Sequence, residues 1–400
     1  MQTNLAPKIK KSSHAGAIES ILRNCVHCGF CNATCPTYQL RGDELDGPRG
    51  RIYQMKQYFE GAAANADMLK HLDRCLTCRA CETTCPSGVR YSHLLEIGKE
   101  MIEQELPRPG LDRLRRRAIV GFINSGWLFA SMIRIGQALA WMMPTGLRQM
   151  VPARQPALVR SKGRHARKIL MLAGCVQPAL APNTNIRAIN LLDKLGIEVI
   201  EPPNTGCCGA AAMHTSDQDY AMRQIRQLID QWWPHIEAGV EAIVVTASGC
   251  GVSVKDYARL LADDPEYADK AGRVSSLYRD LVEVVEANLD QLEASDAGKR
   301  RVAVHTPCTM QHGLGLNNRV ERVLAGVGHQ ICRVEEAHLC CGSAGTYSML
   351  QPAIARQLQQ NKWRALGVDQ PDVIATANIG CQLQLAQGGG TPVVHWIELI

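Results

Sequence analysis

Two cysteine runs of identical spacing decide how this chain folds: Cys25-Val-His-Cys-Gly-Phe-Cys-Asn-Ala-Thr-Cys-Pro36 and Cys75-Leu-Thr-Cys-Arg-Ala-Cys-Glu-Thr-Thr-Cys-Pro86. Each run has the pattern C-x2-C-x2-C-x3-C-P, and thiolates at this spacing are typical ligands of a [4Fe-4S] cluster. Structural zinc and a disulfide framework are the alternatives. Zinc sites, however, use paired C-x2-C knuckles and need neither the third cysteine nor the trailing proline. The runs therefore predict two [4Fe-4S] clusters.

The spacing also predicts which cysteine binds which cluster. In ferredoxins with two clusters, the fourth cysteine of each run binds the cluster of the other run. We therefore expect Cys25, Cys28, Cys31 and Cys85 to bind cluster 1, and Cys35, Cys75, Cys78 and Cys81 to bind cluster 2. His27, Arg74 and Arg79 lie beside these ligands in sequence. They are either solvated or placed to raise a cluster's reduction potential.

Length and composition limit the class of protein. A chain of 400 residues suggests about two or three domains, and 46% hydrophobic residues are normal for a globular protein. The formal net charge of +6 is modest, and neither nucleic-acid zinc fingers nor basic strands with stacked aromatics occur, so we expect no nucleic-acid partner. The N-terminal residues contain no apolar signal-like segment. We therefore expect a reducing compartment, the cytoplasm or the inner face of the cytoplasmic membrane.

Each cysteine run follows a short apolar segment of helical periodicity, which predicts the same plan for residues 18–35 and 66–85. Residues 51–59 are predicted to form a helix between the runs, and the glycine-containing residues 42–50 a loop. The sequence therefore predicts an α-helical module of about eighty residues around both clusters.

The composition changes near residue 106, where a basic patch precedes an apolar stretch at residues 118–144. The stretch contains Trp127 and Trp141, but Arg134 lies near its centre, and a charge in the middle of a bilayer is costly. A membrane-spanning helix is therefore not expected. The alternatives are an amphipathic helix on a membrane surface or partner and an ordinary helix packed between domains. The basic patch consists of Arg108, Arg113, Arg115, Arg116 and Arg117.

The second half of the chain contains an internal duplication. In both copies 32 positions separate the first cysteine from a Cys-Cys-Gly loop, Cys175 from Cys207 and Cys308 from Cys340. The first copy contributes Cys175, Cys207, Cys208 and Cys250, and the second contributes Cys308, Cys340, Cys341 and Cys381. These thiols are candidates to bind a cluster or zinc, to exchange with disulfides, or to be buried without a ligand. Cys332 lies outside the pattern and is expected to be a core cysteine.

Apolar strands alternate with helical segments in each copy, which predicts a parallel sheet. Ligands collect at the carboxyl ends of such strands, so we expect each copy to gather its four thiols at one edge of its sheet. We call these edges the first rim and the second rim. The predicted strands are residues 169–173, 198–200, 242–246, 302–305 and 373–376, and the predicted helices are residues 185–195 and 351–366.

Further motifs accompany the cysteines: Gly42-Asp-Glu-Leu-Asp-Gly-Pro-Arg-Gly-Arg-Ile-Tyr53, His338-Leu-Cys-Cys-Gly-Ser-Ala-Gly-Thr346 and Thr376-Ala-Asn-Ile-Gly-Cys381. With the two runs, they make essentially the whole chain similar to the iron-sulfur subunits of bacterial glycolate oxidase (glycolate dehydrogenase). The wider family joins a two-cluster ferredoxin to two cysteine-rich "CCG" domains. It includes a subunit of anaerobic glycerol-3-phosphate dehydrogenase and heterodisulfide reductase.

The resemblance implies an α+β multidomain fold, in which an N-terminal α-helical dicluster ferredoxin is followed by two repeated α/β CCG domains. The heterodisulfide-reductase-like members close each CCG domain with C-x-x-C, whereas this chain has one cysteine there, Cys250 or Cys381. Four thiolates per copy remain, enough for an additional cluster or zinc. The expected domains are a polar N-terminal tail (1–17), the ferredoxin (18–100), a basic and apolar helical linker (101–167), and the two CCG domains (168–295 and 296–400).

The resemblance also implies an electron-transfer subunit of an oxidoreductase complex. Flavin-containing partner subunits would oxidise glycolate to glyoxylate, and a quinone or other membrane acceptor would receive the electrons. The alternatives are an electron-transfer subunit of a related glycerol-3-phosphate or lactate dehydrogenase, a thiol–disulfide reductase like heterodisulfide reductase, and a scaffold with structural metal.

No catalytic residue is predicted in this chain. Gly313-x-Gly315 is too short for a dinucleotide fingerprint, so no flavin site is expected. Several histidines lie near cysteine loops or strand ends, but core and surface histidines are commoner than catalytic ones. They are His214, His305, His338 and His395.

Overall fold

The computed structural model describes residues 1–144, 148, 151–203, 205–292 and 298–400. Its N-terminal part is helical, as predicted, and each cysteine run follows a helix. The helices are Pro7–Lys10, Ala15–Asn24, Phe30–Ala33, Pro36–Arg41, Pro48–Phe59, Ala66–Asp73, Ala80–Thr83 and Tyr91–Glu105, with a 3₁₀ turn at Glu44–Asp46.

The first seventeen residues differ from the expected polar tail. Leu5 and Ile9 are four residues apart and both are buried against the helical core. The amide of Ala6 donates a hydrogen bond to the carbonyl oxygen of Phe59 at 2.8 Å, and the N-terminal amine donates to the carbonyl oxygen of Leu22 at 3.0 Å. An apolar i, i+4 pair on a short helix is enough to attach this segment to the module.

The segment predicted as a loop at residues 42–50 is more ordered than its composition indicates. The Asp43 side chain accepts a hydrogen bond from the amide of Leu45 and caps the 3₁₀ turn Glu44–Asp46. The next helix then begins at Pro48, three residues before the predicted start. Proline is well suited to a first helical position because that position needs no amide donor.

The apolar stretch forms two exposed helices, Gly110–Asn124 and Gly126–Ala138, which meet at 86°. Among the described residues no single helix is long and apolar enough to cross a membrane. Only this bent pair, with its two helices taken together, has the length and apolar composition of a membrane span. Trp127 of the second helix is 77% exposed, and Trp141, in the 3₁₀ turn Ala140–Met142 after it, is 76% exposed. The pair therefore presents most of its apolar side chains to the surface rather than to a core.

The duplicated half contains two parallel sheets, as predicted. The first has the order β2-β1-β3, and the second has the order β5-β4-β6-β7. The strands are β1 (Arg167–Leu172), β2 (Ile197–Ile200), β3 (Ala242–Val245), β4 (Arg301–His305), β5 (Gln330–Ile331), β6 (Val373–Thr376) and β7 (Val393–His395). Five of the seven match predicted strands to within two residues. β5 and β7 are too short to leave a periodic signal.

Helices connect and cover these strands. The two predicted helices are present, at Pro182–Lys194 and Pro352–Leu366. The other helices are Gln177–Leu180, Ala210–His214, Gln218–Glu237, Ser248–Leu260, Ala268–Leu277, Leu281–Glu286, Arg319–Gly326, Tyr347–Leu350 and Ile379–Ala386. The shorter turns are 3₁₀ turns at Ala140–Met142, Leu289–Gln291 and Trp396–Leu399 and a π-helical turn at Thr309–Gly313.

The two copies share one hydrophobic core. Ile169 and Met171 of β1 belong to the same buried cluster as Val302 and Val304 of β4. Backbone contacts join the copies as well, since the amide of Ser248 donates to the carbonyl oxygen of Ala377 at 3.1 Å. Because the apolar faces cover each other, the duplicated half is one packed unit with two cysteine rims.

Candidate iron-sulfur and metal centres

The structure brings together the four cysteines assigned to cluster 1, although Cys85 comes from the other run. All four line one cavity between the two cysteine loops, which Cys81 of the second run also lines. Burial raises the pKa of the Cys31 thiol to about 11, and the neighbouring Cys25 and Cys28 contribute to the increase. Four thiols facing one cavity form the all-sulfur donor set that a [4Fe-4S] cluster requires.

The four cysteines assigned to cluster 2 also lie together, and Cys35 joins the three cysteines of the second run. Burial raises the pKa of the Cys81 thiol well above its usual value, and repulsion from Cys78, Cys75 and Cys35 adds to the effect. Closely spaced buried thiols cannot all ionise without a compensating cation. Bound iron would supply that positive charge, so this donor set also fits a cluster.

The two loops repeat an unusual backbone conformation. Positive φ angles occur at His27 (59°) and Gly29 (86°) in the first loop, and at Thr77 (52°) and Arg79 (61°) in the second. Residues other than glycine adopt this region at a cost, and such strain is typical of functional sites. In the second loop the amide of Thr77 donates to the Cys75 sulfur at 3.4 Å. The strained backbone therefore directs at least one N–H group at a ligand sulfur.

A buried tyrosine outside every sequence motif contacts the cluster 2 ligands. The Tyr91 hydroxyl donates to the Cys75 sulfur at 3.6 Å, and the side chain is 4% exposed. Hydrogen bonds to cluster sulfurs are among the features that set reduction potentials.

A buried arginine lies on the same side of the cluster 2 ligands. Arg51 is 1% exposed and donates to the carbonyl oxygen of His71 at 2.8 Å. Although burial disfavours its charge, the nearby Tyr91 and Cys75 contribute to a pKa of Arg51 above its usual range. A permanent positive charge therefore lies close to the ligands of cluster 2.

Asp46 holds this arginine and its neighbours in place. The Asp46 carboxylate lies 2.8 Å from His71 Nδ1 and 2.9 Å from Arg74 Nη1, and 3.7 Å from Arg51 Nη2. Burial opposes its ionisation, yet the hydrogen bond from His71 and the charge of Arg74 hold the pKa of Asp46 below its usual value. Arg51 and Asp46 lie in the quoted motif at residues 42–53, so the motif marked both residues but not their role.

The three residues beside the ligands have other partners or face solvent. Arg74 pairs with Asp46, and Arg79 pairs with Asp256 of the first cysteine-rich copy. His27 is exposed, and its ring centroid lies 5.9 Å from that of Tyr53. Arg79 therefore fixes the second loop against the duplicated half.

Each rim gathers its four cysteines at the carboxyl ends of its strands. In the first rim, Cys207 interacts with Cys175 and with Cys208, and Cys208 interacts with Cys250. In the second rim, Cys308 Sγ lies 3.9 Å from Cys340 Sγ, and interactions continue from Cys340 to Cys341 and from Cys341 to Cys381. The remaining cysteine, Cys332, is buried in the core as expected.

Glycine is required in both Cys-Cys-Gly loops. Gly209 and Gly342 have the same φ of 86°. A Cβ atom at Gly342 would lie 2.5 Å from the carbonyl oxygen of Ala355, and one at Gly209 would lie 3.0 Å from Ile225. The missing side chains therefore allow both the turn and the close approach of the helices Gln218–Glu237 and Pro352–Leu366.

The second rim lies against the cluster 2 ligands. Burial raises the pKa of the Cys78 thiol well above its usual value, and the second largest contribution to this increase comes from Cys308 of the second rim. Leu76 and Tyr347 pack in one cluster with Cys340. The Tyr347 hydroxyl donates to the carbonyl oxygen of Arg74 at 3.0 Å, which joins the two parts at this point.

The histidines near the cysteine loops fall into different environments. His395 is buried, and its Nε2 lies 2.8 Å from the carbonyl oxygen of Thr246. His214 is exposed, and His338 is half-buried. His305 is buried, and within the described part of the chain neither ring nitrogen has a hydrogen-bond partner. It lies beside Cys341 and Cys381.

Comparison with known proteins supports both parts of the chain. Residues 21–89 match the family described as "4Fe-4S dicluster domain", and residues 169–255 and 302–386 match "Cysteine-rich domain". The chain is 50% identical to the glycolate oxidase iron-sulfur subunit of Escherichia coli, over 100% of this chain and 98% of that protein. It is 29% identical to the probable glycolate oxidase iron-sulfur subunit of Bacillus subtilis, over 96% and 94% respectively.

More distant similarity extends to other redox proteins. The chain is 24% identical to a subunit of the CoM/CoB fumarate reductase of Methanothermobacter marburgensis, over 95% of this chain and 72% of that protein. The predicted fold class and the predicted iron-sulfur cofactors are therefore confirmed. The assignment of individual ligands and the exact domain limits stay predictions.

Proposed function

Because the chain belongs to the family of glycolate oxidase iron-sulfur subunits, we propose that it transfers electrons from a flavin-containing subunit that oxidises glycolate to glyoxylate. A membrane quinone is the proposed acceptor. The observation that carries the proposal is the grouping of eight cysteines into two all-sulfur sets within 61 residues of chain, Cys25 to Cys85. When bound, the clusters accept and release single electrons.

The proposed ligands are those assigned from the spacing: Cys25, Cys28, Cys31 and Cys85 for cluster 1, and Cys35, Cys75, Cys78 and Cys81 for cluster 2. Cys25 and Cys85 line the same cavity, which supports the exchange of fourth ligands between the runs. Burial, and to a smaller extent Cys85, raises the pKa of the Cys25 thiol. Arg51 and Tyr91 favour the reduced, more negative form of cluster 2. Arg51 places a positive charge near its ligands, and the Tyr91 hydroxyl donates a hydrogen bond to one of them.

The rims are proposed to bind metal through Cys175, Cys207, Cys208 and Cys250, and through Cys308, Cys340, Cys341 and Cys381. Burial of both Cys-Cys pairs supports ligation rather than exchange with a disulfide substrate, because an exchanging thiol must be accessible. Contact between the second rim and Cys78 supports an electron path that passes from cluster 2 towards this rim.

The exposed helix pair is proposed to bind the inner face of the cytoplasmic membrane. Its exposed apolar side chains are accompanied by Arg113, Arg117 and Arg134, which suit anionic lipid head groups. Replacing Trp127 and Trp141 by Gln is expected to reduce co-sedimentation of the purified chain with vesicles of anionic lipid. Replacement of Trp233, which lies elsewhere, by Phe is the matched control. Equal binding of all three proteins would contradict the membrane role.

The function is tested by expressing the chain with flavin-containing partner subunits. We expect the complex to co-purify and to reduce an artificial dye when glycolate is added. In the Cys85→Ser variant, electrons are no longer expected to pass through this chain to the dye. The Cys332→Ser variant is expected to retain dye reduction, because Cys332 is a buried cysteine outside all four sets. Reduction of the dye with glycerol 3-phosphate or lactate but not with glycolate would favour the alternative substrates.

A further inference from the structure

The two rims differ at one position that matters for metal binding. His305 is the last residue of β4 and precedes Cys308 by three positions, whereas Leu172 is the last residue of β1 and precedes Cys175 by three positions. The duplication therefore places an imidazole at the second rim and an aliphatic side chain at the equivalent place in the first.

The environment of His305 lacks the partners that a structural histidine normally has. The side chain is 1% exposed, and neither Nδ1 nor Nε2 has a hydrogen-bond partner among the residues that the structure describes. Nearly all buried polar groups are hydrogen-bonded, because an unpaired one costs stability. His395, by comparison, is buried but bonds to the carbonyl oxygen of Thr246. The isolation of His305 indicates a missing partner.

Two thiols lie close to His305. A ring nitrogen of His305 and the sulfurs of Cys341 and Cys381 all lie within 4.8 Å of one another. Zinc binds sulfur at about 2.3 Å and histidine nitrogen at about 2.0–2.1 Å in a tetrahedral arrangement, which separates its ligand atoms by roughly 3.5–3.8 Å. Small side-chain rotations are therefore enough to close these three atoms around one ion.

An amide donor and a buried ammonium lie beside the thiols. The Asn378 side chain lies 3.7 Å from the Cys381 sulfur. The Lys362 ammonium is buried and is held by the carbonyl oxygens of Glu336 and Ala337 at 2.9 and 3.0 Å, so it is fixed near the thiols rather than bonded to them. Cys340 interacts with Cys341 and is the nearest candidate for a fourth ligand.

We propose that His305, Cys341 and Cys381 bind a single zinc ion at the second rim. Mixed imidazole and thiolate ligands favour zinc among common metals. This inference rests on the metal-binding role proposed for the rims, and it specifies the metal and the ligands of the second rim. The second rim has a nitrogen ligand, whereas the first has only sulfur.

The test measures zinc and iron in the full chain purified without oxygen from zinc-supplemented cells. His305→Leu introduces the residue that occupies the equivalent place in the first rim, so the fold is expected to tolerate it. We expect this variant to lose about one zinc per chain and to keep about eight iron atoms in its two [4Fe-4S] clusters. His305→Cys, which supplies another zinc ligand, is expected to retain the ion.

Cobalt provides a second readout. The wild-type chain loaded with Co²⁺ is expected to show intense tetrahedral and thiolate absorption bands. The bands of the second rim are expected to shift in His305→Cys and to be lost in His305→Leu, whereas any bands of the all-sulfur first rim stay unchanged in both variants. Zinc content that is the same in all three proteins would overturn the proposal. A loss of iron instead of zinc in His305→Leu would also overturn it, since the rim would then hold an iron-sulfur cluster. Absence of the ferredoxin iron in wild type would refute the proposed function but not the zinc site.

Discussion

Tyr91→Phe is expected to lower the reduction potential of cluster 2 without changing that of cluster 1. The substitution removes only the hydroxyl that donates to the Cys75 sulfur at 3.6 Å and leaves the buried ring in place. Reduction adds one negative charge to the cluster and its thiolates, so the lost donor matters more in the reduced state.

The size of the shift follows from the geometry. A hydrogen bond to a charged group contributes about 1.5–3 kcal/mol, and the contact here is long. We take the hydrogen bond to be stronger by about 0.5–1 kcal/mol in the reduced cluster than in the oxidised one. For one electron 59 mV corresponds to a factor of ten, so loss of the bond lowers the potential by roughly 20–40 mV.

The shift is measured by an anaerobic redox titration followed by electron paramagnetic resonance, which distinguishes the two clusters. Tyr58→Phe is the matched control, since Tyr58 is equally buried in the same module but its hydroxyl donates to the carbonyl oxygen of Met101 at 3.0 Å. An unchanged potential in Tyr91→Phe, or an equal shift in Tyr58→Phe, would refute the reasoning.

Three further predictions concern stability. Arg51→Met leaves the buried Asp46 carboxylate without one of its cations and is expected to destabilise the ferredoxin module by about 3 kcal/mol, measured as cluster release in guanidinium chloride; Arg51→Lys should lose less. Gly342→Ala forces a Cβ against the Ala355 carbonyl oxygen at a positive φ and is expected to cost about 2–3 kcal/mol, whereas Gly206→Ala, with open space, costs little. Burial raises the pKa of Asp280 to about 7, so the folded chain keeps a proton that the unfolded chain loses near pH 4. Stability should therefore fall by about 1.4 kcal/mol per pH unit between about pH 4 and 7 and then level off, and Asp280→Asn should lack this slope in thermal unfolding.

The sequence predicted the cluster loops well because the chemistry of the ligands fixes their spacing. A cube needs three thiolates from one short loop, and the fourth cysteine is marked by the following proline. The duplication was equally visible, since Cys175 and Cys308 start copies with the same interval. Strands β1, β3, β4 and β6 were found because buried parallel strands are continuous apolar runs.

The contacts between these parts were not visible in the sequence. The shared core of the two copies joins residues more than 100 positions apart, such as Ile169 and Val302, and no local pattern encodes that pairing. The contact of the second rim with Cys78 depends on the same long-range packing.

The roles of single polar residues in the core were also not visible in the sequence. His305 follows three apolar residues of β4 and reads as part of the strand, so only its unpartnered nitrogens distinguish it. Arg51 and Tyr91 lie on helices outside the cysteine loops, where sequence distance hides their approach to Cys75. Residues that tune a cluster need only reach its ligands in space, and they share no spacing with them.

The most direct measurement of the central claim is the reduction of both clusters by glycolate. The purified complex of this chain with its flavin-containing partners is mixed with glycolate without oxygen, frozen, and examined by electron paramagnetic resonance. We predict that signals of reduced [4Fe-4S] clusters appear with wild type and with Cys332→Ser, and that the cluster 1 signal is absent in Cys85→Ser. Reduced flavin with both clusters still oxidised, in an intact complex containing about eight iron atoms, would contradict the proposed electron transfer.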